Sequence, residues 1–189
     1  IEYQSSNHIH FMSEIEKMAY ADRAEALGDI DFIEIPVEKM ISDEYAKKKF
    51  DSIDCCLATD SKQIKPISAF PIEKEETTHY SVVDKWGNSV SVTTTINGWY
   101  GSGITVDNSG FLLNNEMDDF SSKPGHPNKY GLIGSWANSI EPNKRMLSSM
   151  TPTIVEDIDG GIFLVLGSPG GSTIITTVAQ IISNIIDFD

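Results

Sequence analysis

The chain has 189 residues, enough for one domain or one domain with an appendage, and its apolar content of 40% is ordinary for a globular protein. Its net charge of −14 opposes nucleic acid and anionic membrane surfaces as partners. No apolar run approaches the ~20 residues of a membrane-spanning helix. Ile9, Met12, Ile15, Met18, Ala19 and Ala26 recur at helical spacing and predict a helix over 7–27, stopped by Gly28. Residues 29–41, with Pro36, read as irregular. A second helix is expected over 42–51, with Ser42 as N-cap and Asp43 and Glu44 in its first turn. The only two cysteines, Cys55 and Cys56, are adjacent, a spacing that rarely bridges, so neither a disulfide framework nor a metal site is expected there.

Residues 54–76 read as a linker that carries Pro66 and Pro71 and ends in the acidic stretch 73–76. The texture changes at Thr77. Alternation through Tyr80, Val82 and Asp84, a turn at Trp86-Gly87-Asn88, and then Val90, Val92 and Thr94 predict a β-hairpin. Residues 98–110 read as a loop rich in Gly, Ser and Asn, and 111–113 as a short buried strand. Residues 121–145 are mostly loop. Strands are expected at 153–156 and 162–166 around an Asp-Gly-Gly turn, and Gly170-Gly171-Ser172 opens a helix over 173–186. Ile1 in place of Met at the start, and the apolar run that closes the chain, read as an internal piece of a longer precursor.

Four stretches carry residue types suited to chemistry. Thr77, at a strand start after an acidic linker, reads either as an ordinary β-branched strand residue or as a nucleophile. A threonine hydroxyl needs a base. As the first residue of a chain, Thr77 would have one in its own α-amino group, whose unperturbed pKa is ~7.7–8.0. The stretch Gly167-Ser168-Pro169-Gly170-Gly171-Ser172 reads either as a tight strand-to-helix turn or as an oxyanion hole of backbone N–H groups at a helix N-terminus. Residues 112–120, with Asn114, Asn115, Glu116, Asp118 and Asp119, read as turn formers or as a grip for the ammonium of an amino-acid substrate. Ser148 and Ser149 read as a solvated loop or as donors to a carboxylate. His8, His10, His79 and His126 show no zinc-site spacing, and 112–120 lacks the calcium-loop pattern, so no metal or other cofactor is expected.

In this order, Thr77-Thr78-His79-Tyr80-Ser81-Val82, the stretch 112–121, Pro124-Gly125-x-Pro127-Asn128-x-Tyr130-Gly131-Leu132, Asn143-Lys144-Arg145 with Leu147-Ser148-Ser149-Met150, and the stretch 167–172 resemble the γ-glutamyltransferase (γ-glutamyltranspeptidase) family. The likeness runs through essentially all of 77–189, and 9–35 resembles the end of that family's large subunit. The resemblance implies an α+β fold of the N-terminal-nucleophile hydrolases, a four-layer αββα sandwich present here in part. It implies a precursor that cuts itself between Glu76 and Thr77. Residues 1–76 would then close the large subunit, and 77–189 would form a truncated catalytic segment of the small one. The implied reaction moves a γ-glutamyl group from glutathione or a related amide onto Thr77, then to water or to an amino-acid or peptide acceptor.

By the same resemblance, Thr95 would orient or activate Thr77, and Gly170 and Gly171 would form the oxyanion hole. Asn97, Glu116, Asp119, Ser148 and Ser149 would hold the substrate's α-amino and α-carboxylate groups. Residues 124–135 would be a lid with Tyr130 as its gate. The remainder of the large subunit would be a partner, and would supply an Arg that no residue here matches. Family habit points to the periplasm or to secretion, against which two unpaired cysteines weigh mildly. Glu116 stands where some relatives carry Gln, and Met146 where Pro is common. The alternatives are a sister amidase, such as a cephalosporin acylase or a poly-γ-glutamate-processing enzyme, and an inactive fragment.

Overall fold

A computed structural model describes residues 1–60, 76–126 and 133–188. The chain forms two compact units, Ile1–Pro71 with Asp118–Leu147, and Ile72–Met117 with Ser148–Asp189. In the first unit, helix α1 spans Ser6–Ala26, within one residue of the sequence expectation. Ser5 caps it, its hydroxyl accepting from the His8 N–H at 3.2 Å. The aliphatic stripe does not set the buried face: Ile9 and Ile15 are exposed, whereas Glu14 is 3% exposed. Its carboxylate is satisfied by Lys17 Nζ at 2.6 Å and the Thr59 N–H at 3.2 Å. Burial would raise the Glu14 pKa, but these hydrogen bonds outweigh it and hold the carboxyl below its ordinary value.

The segment expected to be irregular contains one helical turn, α2 (Val37–Met40), entered from Pro36. Proline tolerates such a start because the first helical N–H groups have no partner in the helix. Helix α3 spans Asp43–Phe50. Its N-cap is Ser42, whose hydroxyl accepts from the Tyr45 N–H at 3.3 Å, and acidic residues open it while lysines close it, as the macrodipole favours. It is tied to α1 by Phe11 and Phe50, stacked at 5.5 Å, and by Tyr45 and Lys49, which donate to Asp22 at 3.0 and 2.7 Å. Only glycine fits at 28, because a Cβ there would lie 2.3 Å from the Ala137 carbonyl oxygen.

In the second unit, β1 (Thr77–Val83) and β2 (Ser89–Thr95) form the expected antiparallel hairpin, in register from Thr77 opposite Thr95 to Val83 opposite Ser89. Asp84 closes it, accepting from the Trp86 and Asn88 N–H groups at 2.8 and 2.9 Å. A hydrogen bond from the Asn88 side chain leads the effects that lower the Asp84 pKa. A second hairpin pairs β3 (Thr153–Glu156) with β4 (Ile162–Leu166). The Ser91 hydroxyl donates to the Leu166 carbonyl at 2.8 Å, so the two hairpins are neighbours. A short 3-10 turn, Gly171–Thr173, leads into α4 (Ile174–Phe188), whose buried residues are Ile174 and Val178. The expected buried strand at 111–113 does not form. Leu112 makes a single bridge to Thr105, flanked by hydrogen bonds from the Val106 N–H to the Phe111 carbonyl and from the Leu113 N–H to the Ile104 carbonyl, both 2.9 Å; turns at 99–102 and 107–109 end the pairing there, and Phe111 and Leu113 are exposed.

Candidate active site

The hairpin register brings two threonines together at its open end, Thr77 at the start of β1 and Thr95 at the end of β2. Beyond Thr95 the chain turns sharply. Asn97 adopts a φ of 69°, in the left-handed region that asparagine tolerates better than most residues, and Gly98 follows. This turn is fastened to Asn115: the Asn97 amide donates to the Asn115 carbonyl at 3.0 Å, and the Gly98 N–H donates to the Asn115 side-chain oxygen at 2.9 Å. Asn97 is thereby 6% exposed. The Thr95 hydroxyl sits between turn and strand. It accepts from the Asn97 N–H at 2.9 Å and donates to the Glu76 carbonyl at 3.1 Å. The carbonyl directly before Thr77 is therefore gripped by the residue opposite Thr77.

The glycine-rich junction emerges beside the same strand. A Cβ on Gly167 would lie 2.3 Å from two ring atoms of His79, two residues beyond Thr77. The His79 ring is fixed by the hydroxyls of Thr93 at 2.9 Å and Ser81 at 3.0 Å. Gly170 is buried with φ 127°, and Gly171 has φ 55°. Both lie where side-chain-bearing residues are strained, and they turn the chain from β4 toward α4. The Gly170 carbonyl accepts from the Thr173 N–H at 3.0 Å and from its hydroxyl at 2.8 Å.

Other expected site residues lie on separate segments of this unit. Glu116 is half-buried and opens a short helical turn to Asp119, its N–H donating to the Asn114 side chain at 3.0 Å. Ser148 is exposed, its hydroxyl accepting from the Met150 N–H at 3.1 Å, and Ser149 is half-buried. Asp119 belongs to the other unit. There it raises the pKa of Arg23, which burial, the larger effect, leaves lowered. Tyr130 and residues 127–132 of the expected lid lie outside the described residues.

Direct contacts thus join Glu76, Thr77, Thr95 and Asn97, with the Gly170-Gly171 junction close along the chain to a contact with β1. Asn115 and His79 hold this arrangement, roles that the reading of 112–120 as turn formers or an ammonium grip, and of His79 within the family motif, does not assign them. Asn97-Gly98 is a recognisable turn pair, but its partner 18 positions on is not fixed by any local pattern. Among the described residues the side chains grouped closely enough to share a metal ion are Asp54, Cys55 and Cys56, all exposed. Three consecutive solvated donors, with Asp54 Oδ1 already taken by the Cys56 and Leu57 N–H groups, fall short of a closed zinc site. Both thiols are free, 3.3 Å apart. Among the described residues, no helix is long and apolar enough to cross a membrane.

A family model described as gamma-glutamyltranspeptidase matches residues 1–189. The glutathione hydrolase proenzyme of Escherichia coli (strain K12) is 54% identical over 186 residues, which are 98% of this chain and 32% of that protein. The protein of the same name from Pseudomonas aeruginosa is 47% identical over 188 residues, covering 100% of this chain and 33% of that one. The chain thus spans about a third of the length of these curated relatives. Among solved structures, a mutant Helicobacter pylori gamma-glutamyltranspeptidase is 68% identical with a TM-score of 0.56, covering 59% of this chain and 59% of that chain. The fold is the α+β one of the N-terminal-nucleophile hydrolases.

Proposed function

Because this chain belongs to the γ-glutamyltranspeptidase family, we propose that it is part of a proenzyme that cuts itself between Glu76 and Thr77 and then transfers γ-glutamyl groups from glutathione and related amides. In the first reaction the Thr77 hydroxyl attacks the Glu76 carbonyl carbon. The peptide C–N bond breaks as the acyl group passes to oxygen, the Thr77 nitrogen takes a proton, and water opens the ester. The products are a Glu76 carboxylate and a free Thr77 amine. Two chains follow from the cut, one ending with 76 and one beginning with 77. They correspond to the end of a large subunit and the catalytic part of a small one.

In the second reaction Thr77 attacks the γ-carbonyl of the substrate while its own α-amino group accepts the hydroxyl proton. The N–H groups of Gly170 and Gly171 stabilise the tetrahedral oxyanion, and the amine leaves with the proton. Water or an amino-acid or dipeptide acceptor then releases the γ-glutamyl group. Thr95 orients Thr77. Asn97, Glu116, Asp119, Ser148 and Ser149 hold the substrate's charged head group, and Tyr130 gates the site. The remainder of the large subunit completes it with a cation for the substrate carboxylate. The proposed compartment is the periplasm or the cell exterior, and fractionation in which activity follows a cytoplasmic marker would refute it.

The observation that carries this reading is the Thr95 hydroxyl on the Glu76 carbonyl, beside Thr77. The name of these relatives, glutathione hydrolase, favours a γ-glutamyl substrate over those of the sister amidases. The test uses the full-length protein with γ-glutamyl-p-nitroanilide, with and without glycylglycine. Release of p-nitroaniline accelerated by the dipeptide is expected; no release in either condition would refute the reading.

A further inference from the structure

A cut between Glu76 and Thr77 would leave the unit formed by Ile1–Pro71 and Asp118–Leu147 built from two polypeptides, with no covalent link between them. Among its cross-contacts, three hydrogen bonds meet on one carboxylate. The Asp29 side chain is 1% exposed and receives three hydrogen bonds from Arg145. The Arg145 N–H and Nε donate to Asp29 Oδ2 at 2.7 and 3.0 Å, and Nη2 donates to Oδ1 at 2.6 Å. Nη2 also reaches Asp31 at 2.5 Å. These bonds from Arg145 hold the Asp29 carboxyl well below the usual carboxylate range, so it stays charged. Beside this pair, the fully buried Lys144 ammonium lies 5.6 Å from the centre of the Phe32 ring. Farther along, Ser135 donates to the Ala24 carbonyl through its N–H at 3.1 Å and to the Glu25 carbonyl through its hydroxyl at 2.7 Å. Each contact joins a residue before the linker to a residue after it.

We propose that Asp29 and Arg145 are the clasp that keeps the two subunits together once the chain is cut, its partner surfaces being the end of α1 with the following turn on one subunit and residues 135–145 on the other. This inference rests on the cut proposed above. The two-pronged geometry, with the backbone N–H as a third donor, demands a guanidinium: a lysine ammonium is a point charge and cannot reproduce the fork. The exposed outer edge of Arg145 leaves its charge solvated, whereas Asp29 without its partner would be a buried, uncompensated anion.

The full-length protein would be produced as a single chain and as two chains separated between Glu76 and Thr77, so that the clasp is read whether or not the protein cuts itself. N-terminal sequencing of the single chain tests self-cleavage; its failure there would overturn the proposed function and leave the clasp measurement standing. Association of the two chains is followed by sedimentation across a dilution series, and circular dichroism of the single-chain variants checks folding. Asp29→Asn and the milder Arg145→Lys are each expected to raise the dissociation constant roughly 10- to 100-fold. A cycle of Asp29→Asn with Arg145→Met is expected to be non-additive. Separate wild-type chains that do not associate, single substitutions that shift the dissociation constant less than about twofold, or an additive cycle would each overturn the clasp.

Discussion

The Thr95 hydroxyl donates to the carbonyl oxygen of Glu76 at 3.1 Å, from a position directly opposite Thr77 in the strand pair. That carbonyl carbon is the atom Thr77 would attack in the proposed self-cleavage. Its oxygen gains negative charge as the tetrahedral intermediate forms, so a fixed donor on it is stronger in the transition state than in the ground state. The Asn97 N–H occupies the acceptor side of the same hydroxyl and thereby keeps its proton directed at Glu76.

Thr95→Ala is therefore expected to slow maturation by roughly 10²- to 10³-fold, the usual loss for one oxyanion donor. Thr95→Ser keeps the hydroxyl and should retain most of the rate. A gel time course of freshly made precursor reads this directly, and equal rates for Thr95→Ala and wild type would remove the donor role.

Thr77→Ala should block both the cut and the release of γ-glutamyl product, because it deletes the attacking hydroxyl. Thr77→Ser should keep part of both. Electrophoresis combined with the chromogenic assay separates the two reactions. A Thr77→Ala precursor that still splits at 76–77 and turns over substrate would sink the nucleophile assignment.

Gly167→Ala should destabilise the second unit, since the added methyl would lie 2.3 Å from the His79 ring. The expected loss is about 1–3 kcal/mol, the ordinary range for overpacking. Removing the obstacle in Gly167→Ala with His79→Ala should recover part of it. Urea unfolding measures both, and a single variant as stable as wild type would contradict the packing of Gly167 on His79.

Acid should loosen the first unit through Asp29. Its folded-state pKa is depressed, mainly by the Arg145 side chain, so its contribution is present above the unfolded value. It is lost progressively as pH falls below ~3.9 toward the folded value. Stability of wild type and Asp29→Asn, measured by urea unfolding between pH 7 and about pH 2, should differ most at neutral pH and converge in acid. Parallel curves would show that Asp29 carries no such linkage.

The sequence made local features legible and distant ones not. Helix α1, the Ser42 cap and the β1–β2 hairpin follow from spacing and turn chemistry within a few residues. The pairing of Thr77 with Thr95 then follows, because a hairpin turn fixes register all the way to its open end. The expected strand at 111–113 failed because three apolar residues say nothing about whether a straight partner faces them. In α1 the apolar spacing is real, yet Glu14 is the buried residue, since its partners Lys17 and Thr59 satisfy it there. The Gly167–His79 contact and the Asp29–Arg145 pair join positions far apart, and no periodicity encodes them.

Asp29 and Arg145 are 116 positions apart, whereas the Thr95–Glu76 bond closes over 19. Short hairpins form in about 1–10 μs, and closing the longer span is slower and entropically harder. The groups that would perform the cut can therefore assemble before the first unit has closed. If the bond broke at that moment, closure would become an encounter between two separate molecules at whatever concentration the cell provides. An intact linker instead holds the halves at an effective concentration of order millimolar. A sluggish self-cleavage would thus safeguard assembly: a delay between folding and cutting would let each half find the other while still tethered to it.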